Sequence, residues 1–139
     1  MNEPEVIREM LGNPKQTPRT IAVIGLSDNP DKPSNYVPTY MQERGYRILP
    51  VNPLIASVLG ERAYPSLSAL PLKPDIVNVF RLSKFIPAIV DEMIALDLKN
   101  IWVQQGIVNL EAAQHAEKAG INVVMDRCIM VEHGRLRLG

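Results

Sequence analysis

The sequence predicts an α/β fold, a Rossmann-like open parallel sheet of five strands in the order 3-2-1-4-5 with helices on both faces. Five short apolar runs that are typical of buried strands recur at 20–24, 46–51, 75–80, 100–103 and 121–124. Amphipathic segments separate most of these runs, and this alternation is typical of a parallel sheet that helices cover on both sides. Right-handed crossovers leave few topologies. In the expected order, the strand order reverses between the first and fourth strands.

The first half of the chain predicts two helices and two strands. A helix is expected over 3–11, followed by a strand over 20–24 that ends at a glycine. A second helix is expected around 37–44, because Pro38 is tolerated only if it lies in the first turn. The second strand covers 46–51 and ends at an Asn-Pro pair.

The second half begins with an irregular, proline-rich segment over 54–74, in which one short helical turn is expected near 66–70. The helix after the third strand has Ser83 as its expected cap. Its apolar residues have spacings of three and four, which predicts one buried stripe: Phe85, Ile86, Ile89, Val90, Met93 and Ile94. Asn109 is expected to cap an alanine-rich helix that ends at Gly120, and a short helix follows the fifth strand.

Composition excludes several classes of protein. The length of 139 residues predicts a single domain, with an N-terminal helix and connector over 1–17 and a core over 18–135. Fifteen basic and fifteen acidic residues balance, so no overall field favours nucleic acid or an anionic membrane. No apolar run approaches the roughly twenty residues that span a bilayer, and the acidic N-terminus differs from a secretory signal. We therefore expect a cytoplasmic protein.

A polar cluster follows each predicted strand. The carboxyl ends of parallel strands meet at one edge of the sheet, where ligands bind in such folds. The clusters therefore predict one ligand-binding rim, with incidental polar loops as the alternative. In strand order, they are Gly25, Ser27, Lys32 and Ser34; Asn52 and Pro53; Phe80 and Arg81; Gln104, Gln105 and Gly106; and Asp126, Arg127 and Cys128.

The loop after the first strand narrows the choice of ligand. A dinucleotide fingerprint requires Gly-x-Gly-x-x-Gly and an acidic residue after the second strand, whereas this chain has a single glycine, Gly25, and then Asn52. The Gly-Lys-Ser/Thr element of a triphosphate loop is also missing. One tight glycine, two hydroxyls, Lys32 and the more distant Arg81 suit a diphosphate that carries a further phosphate elsewhere.

Several motifs in sequence order resemble the stand-alone CoA-binding proteins, which are small Rossmann-like domains similar to the CoA-binding domain of the succinyl-CoA synthetase alpha subunit. The resemblance runs over roughly 18–135. The motifs are Ile-Gly-Leu-Ser-Asp-Asn-Pro-Asp-Lys-Pro-Ser at 24–34, Gly-Tyr-Arg-Ile-Leu-Pro-Val-Asn-Pro at 45–53, Asn-Val-Phe-Arg at 78–81, Ile-Trp-Val-Gln-Gln-Gly-Ile-Val-Asn at 101–109 and Val-Val-Met-Asp-Arg-Cys at 123–128.

The resemblance implies that coenzyme A or an acyl-CoA lies across the rim. It implies diphosphate contacts at Gly25, Ser27, Lys32 and Ser34, an adenosine end near Asn52, Pro53, Phe80 and Arg81, and a pantetheine arm near Gln105, Gly106 and Ile107. The family commonly has an aromatic residue and then an arginine where this chain has Asn35-Tyr36. If that arginine neutralises a phosphate, weaker binding is expected here. Pro38 is also atypical.

A CoA-binding module without catalysis is the main hypothesis. The alternatives are an acyl-CoA-dependent transferase or ligase fragment, a nicotinamide-dependent enzyme, and a regulatory module that reports CoA status to a protein partner. Cys128 is the only cysteine and is interpreted as a semi-buried structural residue, with a redox or acyl-transfer role as the alternative. Trp102 is expected in the core, with an oligomer interface as the alternative. His115 and His133 have no metal-site spacing, so no metal is expected.

Overall fold

The computed structural model of the chain describes residues 1–13 and 18–136. Its strands are β1 (Thr20–Ile24), β2 (Arg47–Val51), β3 (Ser57–Val58), β4 (Glu61–Arg62), β5 (Ile76–Val79), β6 (Asn100–Val103) and β7 (Asn122–Met125). Its helices are α1 (Pro4–Leu11), α2 (Pro33–Glu43), α3 (Ile86–Leu96), α4 (Leu110–Lys118) and α5 (Ile129–Leu136). Five strands form one parallel sheet in the order β2-β1-β5-β6-β7, which confirms the predicted α/β class and the open parallel sheet.

The predicted strand order is wrong. Counted over the five predicted strands, the observed order is 2-1-3-4-5, because the third strand, β5, pairs with β1 instead of with β2. The segment 54–74 contributes to this arrangement, since Tyr64 exchanges backbone hydrogen bonds of 3.0 and 2.8 Å with the outer edge of β2. Asp75 then donates to the carbonyl of Thr20 at 2.9 Å, which starts β5 beside β1. The reversal of strand order therefore lies between β1 and β5, and not between the first and fourth strands.

Helices bury both faces of the sheet. Buried residues of α3 and α4 pack on one face, and those of α1, α2 and α5 pack on the other. Trp102 of β6 lies in the second layer with 0% exposure, as expected for a core residue. Its indole N–H donates to the carbonyl of Arg127 at 2.9 Å, so its polar atom is satisfied as well. None of the described helices has the length and apolar character required to cross a membrane.

Helix α2 begins at Pro33, four residues earlier than expected, and Pro38 lies inside it. The prediction that Pro38 belongs to the first turn is therefore wrong. An internal proline cannot donate to the carbonyl four residues before it, which here belongs to Ser34. That carbonyl instead accepts a hydrogen bond of 3.1 Å from the backbone N–H of Ser27. The hydrogen bond that the helix loses is thus replaced by one that ties the loop after β1 to α2.

Helix α3 buries only part of its expected stripe. Ile86, Ile89, Val90 and Met93 are buried, whereas Phe85 and Ile94 are 36% and 40% exposed. Phe85 ends a short 3-10 turn that precedes the helix, so it does not share the stripe's geometry. Ser83 does not cap the helix as expected, because its hydroxyl donates to the carbonyl of Val108 at 2.5 Å.

The capping prediction for α4 is confirmed. The side-chain oxygen of Asn109 accepts a hydrogen bond of 3.0 Å from the backbone N–H of Ala112. The amide nitrogen of the same side chain donates to the carbonyl of Ser83 at 3.1 Å. Asn109 therefore begins α4 and also joins the loop after β6 to the loop after β5, both of which border the carboxyl edge of the sheet.

Candidate functional site

The crevice between β1 and β5 is where an open parallel sheet is expected to bind a ligand. Gly25 follows β1 and has a φ of +86°, a value that residues with a Cβ rarely adopt. A Cβ built on Gly25 would lie 2.5 Å from the carbonyl oxygen of Phe80, the residue that follows β5. The N–H of Gly25 donates to Val51 of β2 at 2.9 Å. Gly25 therefore brings the carboxyl ends of three strands together, and no larger residue fits there.

The loop over 25–34 is held by its own hydrogen bonds. Besides the bond between Ser27 and Ser34, the Nδ2 of Asn35 donates to the carbonyl of Ser27 at 2.7 Å. The hydroxyl of Ser27 accepts from the N–H of Asn29 at 3.0 Å. Asn35, which stands where the resembling family commonly has an aromatic residue, is only 7% exposed. The buried side chain of Asn35 therefore holds the backbone of the loop, which is ordered by hydrogen bonds within the protein.

A groove of about 450 Å³ opens beside this loop. We call it the rim groove. Its walls are mostly apolar, with two cations and one hydroxyl along them. The lining residues are Lys32, Pro33, Ser34, Phe80, Arg81, Leu82, Phe85 and Ile107.

The two cations of the rim groove are available to a ligand. Within residues 1–13 and 18–136, no carboxylate forms an ion pair with Lys32 or Arg81. The guanidinium of Arg81 lies 4.1 Å from the ring centroid of Phe85, and this cation–π contact holds it beside the groove that both residues line. The backbone N–H of Ser34, in the first turn of α2, also has no hydrogen-bond acceptor in the described part of the chain. An anion would find donors there.

A second cavity, which we call the side pocket, adjoins the rim groove. Its volume is about 380 Å³. Three residues, Pro33, Phe80 and Ile107, line both cavities, so the two cavities are immediate neighbours. The other residues that line the side pocket are Tyr36, Val37, Gln104, Gln105, Cys128, Met130 and Val131.

The structure brings together five of the residues that the sequence singled out. Lys32, Ser34, Phe80, Arg81 and Ile107 all line the rim groove.

Three further predicted residues border these cavities. Gly25 underlies the groove next to Phe80 and Arg81. Gln105 lines the side pocket. Gly106 has a φ of +87°, and its N–H donates to the carboxylate of Asp126 at 2.7 Å, which joins the loops after β6 and β7.

The remaining predicted residues, Ser27, Asn52 and Pro53, line neither cavity. Asn52 and Pro53 follow β2, on the opposite side of β1 from Phe80, so the observed strand order separates them from Arg81. The Nδ2 of Asn52 donates to the carbonyl of Leu26 at 3.0 Å, and this hydrogen bond joins the end of β2 to the loop after β1. Ser27 directs its hydroxyl into that loop.

Sequence reasoning missed several lining residues. The helical spacing predicts Phe85 in the core, although its place at the start of the helix allows a different environment. Gln104 belongs to a predicted polar cluster but not to the predicted site residues. The sequence feature that indicates a buried role for Gln104 is Asn78, because a polar residue inside an apolar strand requires a buried hydrogen-bond partner. The Nδ2 of Asn78 donates to the Oε1 of Gln104 at 3.0 Å.

A smaller cavity of about 160 Å³ lies at the opposite, amino-terminal edge of the sheet. Its polar side chains bond mainly to the protein, since Asn122 donates to Asn100 and Asn100 donates to the carbonyl of Asp75, both at 2.9 Å. Among the described residues, no group of three histidine, cysteine or acidic side chains could hold a metal ion. The carboxyl edge is therefore the best candidate for a functional site.

Comparison with known proteins identifies similar chains. The profile of the CoA-binding domain family matches residues 19–134. The chain is 46% identical over 127 residues to the uncharacterised protein YneT of Bacillus subtilis, and the match covers 91% of both. A solved structure from Thermus thermophilus is 40% identical with a TM-score of 0.87, and the match covers 96% of this chain and 98% of that one. The ADP-forming acetate–CoA ligase I of Archaeoglobus fulgidus is 25% identical over an alignment of 122 residues, and the match covers 81% of this chain and 18% of the ligase.

Proposed function

Because this chain belongs to the family of CoA-binding domains, we propose that it binds coenzyme A or an acyl-CoA in the rim groove, as a binding module without catalysis of its own. The observation that carries the proposal is that two cations, Lys32 and Arg81, which form no ion pair with the described residues, lie on the walls of a mostly apolar groove at the strand reversal. Coenzyme A matches this pattern, since it joins a diphosphate and a ribose phosphate to an apolar ring and a long pantetheine arm.

The diphosphate is assigned to the loop over 25–34. Lys32 and the N–H and hydroxyl of Ser34 provide donors there, and Gly25 lets the loop leave β1 in close contact with the backbone of Phe80. Ser27 orders this loop. A charge-assisted hydrogen bond contributes about 1.5–3 kcal/mol when it is shielded from water.

The ribose phosphate is assigned to Arg81, whose planar guanidinium can bind a phosphate through two parallel hydrogen bonds. Phe80 forms the wall from which the pantetheine arm leads past Ile107 towards Gln105 and Gly106. Asn52 and Pro53 are assigned an indirect role, because Asn52 holds the backbone of Leu26.

A binding role fits the chemistry of the groove better than catalysis does. None of the described residues that line the rim groove is a carboxylate or a histidine, the side chains that most often transfer protons in catalysis. The only thiol that lines either cavity belongs to Cys128, in the side pocket.

Isothermal titration with CoA, NAD and ATP tests the proposal. We expect saturable binding of one CoA per chain and weaker or no binding of NAD and ATP. Lys32→Ala and Arg81→Ala should each weaken CoA binding by about 10- to 100-fold, which corresponds to the loss of one charge-assisted contact. The matched controls are Lys118→Ala and Arg47→Ala, which remove exposed cations that line neither cavity.

Two outcomes would contradict the proposal. Saturable binding of NAD with no heat from CoA would exclude CoA as the ligand. Unchanged CoA affinity in both Lys32→Ala and Arg81→Ala would exclude the rim groove as the site, even if CoA binds elsewhere on the protein.

A further inference from the structure

Gln104 presents an unused hydrogen-bond donor to the side pocket. Its side chain is only 5% exposed, and its Oε1 accepts from the Nδ2 of Asn78 at 3.0 Å and from the N–H of Ile129 at 3.1 Å. A backbone N–H can only donate, so the bond from Ile129 establishes which atom of the amide is oxygen. The Nε2 group therefore faces away from both partners. Among the described residues it donates to no acceptor, and Gln104 lines the side pocket.

A buried donor of this kind favours a ligand with a matching acceptor. The Nε2 group is still reached by solvent, so an acceptor oxygen in the pocket would replace water there, and one such hydrogen bond contributes about 0.5–1.5 kcal/mol. Most of the other side chains around the pocket are apolar or aromatic: Tyr36, Val37, Phe80, Ile107, Met130 and Val131. A donor held in place among mostly apolar side chains matches a carbonyl oxygen on a hydrocarbon chain, and the volume of about 380 Å³ is that of a small-molecule site.

The position of the side pocket connects this chemistry to the rim groove. Since Pro33, Phe80 and Ile107 line both cavities, the side pocket adjoins the rim groove and is within reach of the arm of a ligand held at the rim. We propose that the side pocket binds the acyl group of an acyl-CoA, with the Nε2 of Gln104 donating to the thioester carbonyl oxygen. This inference rests on the proposed function and adds to it that the acyl thioester, and not free CoA, is the preferred ligand.

The first test compares the affinities of CoA, acetyl-CoA, butyryl-CoA and hexanoyl-CoA by isothermal titration. Acetyl-CoA should bind about two- to tenfold more tightly than CoA, which is the effect of one additional hydrogen bond. Each further methylene group that enters the pocket should tighten binding by about two- to fourfold. Equal affinities across the series would overturn the inference.

Two variants test the pocket itself. Val131→Trp fills the side pocket and should abolish the gain with chain length, whereas Val108→Trp, at a similarly exposed valine outside both cavities, should retain it. Gln104→Glu keeps an oxygen for Asn78 and Ile129 but replaces the Nε2 donor with an acceptor. It should lower the ratio of acetyl-CoA to CoA affinity to one or below. Thermal unfolding of each variant establishes that it is folded.

Cys128 provides an independent readout, because it is the only cysteine in the chain and lines the side pocket. Its rate of alkylation by iodoacetamide should fall more in saturating hexanoyl-CoA than in saturating CoA. Equal rates in the two ligands would overturn the inference but leave the proposed function standing, provided that CoA binds and depends on Lys32. If no CoA species binds, both proposals fail together.

Discussion

Replacing Gly25 with alanine tests whether the close contact between β1 and β5 builds the rim groove. The φ of +86° costs a residue with a Cβ about 1–2 kcal/mol. The Cβ would also lie 2.5 Å from the backbone oxygen of Phe80, which cannot rotate away, and overpacking of this kind costs about 1–3 kcal/mol more. We therefore expect Gly25→Ala to lower the free energy of unfolding by about 2–5 kcal/mol and to weaken CoA binding.

Gly120→Ala is the matched control for this substitution. Gly120 has a φ of +84°, close to that of Gly25, but a Cβ built there meets no atom within 4 Å. Its substitution should cost only the backbone term of about 1–2 kcal/mol and leave CoA affinity unchanged. Urea unfolding and isothermal titration measure the two quantities. If Gly25→Ala and Gly120→Ala lower stability equally and both bind CoA as the parent protein does, the reasoning is refuted.

Two further predictions concern stability. Asn109→Ala should lower the free energy of unfolding by about 1 kcal/mol or more in urea, and Asn109→Ser should restore part of it, because serine also caps helices. Burial raises the pKa of Tyr46 to about 12, so stability is retained below pH 10 and falls as the pH rises towards 12, where the phenol ionises. Urea unfolding of Tyr46→Phe at pH 9 and pH 11 should show a smaller decline than the parent protein, and equal declines would contradict this account.

Much of the fold could be predicted because the signals are local. Each strand of the main sheet is a short apolar run, and the hydrophobic spacing of Ile86, Ile89, Val90 and Met93 identifies the buried face of α3. The cap at Asn109 follows from a side-chain oxygen next to an alanine-rich segment. These features depend on residues within one or two turns of each other, so the sequence is sufficient for them.

The errors arose where a residue's environment depends on distant parts of the chain. Pro38 is tolerated inside α2 because Ser27, eleven positions away, occupies the carbonyl that proline leaves free. The hairpin of β3 and β4 escaped prediction because its strands have two residues each, too few for a recognisable alternation. Gln104 becomes a site residue only through Asn78 and Ile129, which lie about 25 positions from it.

Local sequence determines which residues lie at the carboxyl edge of the sheet, whereas the strand order determines which of their loops become neighbours. All carboxyl ends of a parallel sheet lie on one edge whatever the order, so the composition of the rim could be predicted even with the wrong order. Which loops become neighbours depends on the crossovers. With β5 beside β1, Arg81 lies next to Gly25, whereas Asn52 lies on the other side of β1. In the expected order, Asn52 and Arg81 would have followed adjacent strands at the edge of the sheet. Tyr64 pairs with the outer edge of β2, at the position where the expected order places the third strand. Strand β5 therefore lies beside β1, and Arg81, which follows β5, lines the rim groove.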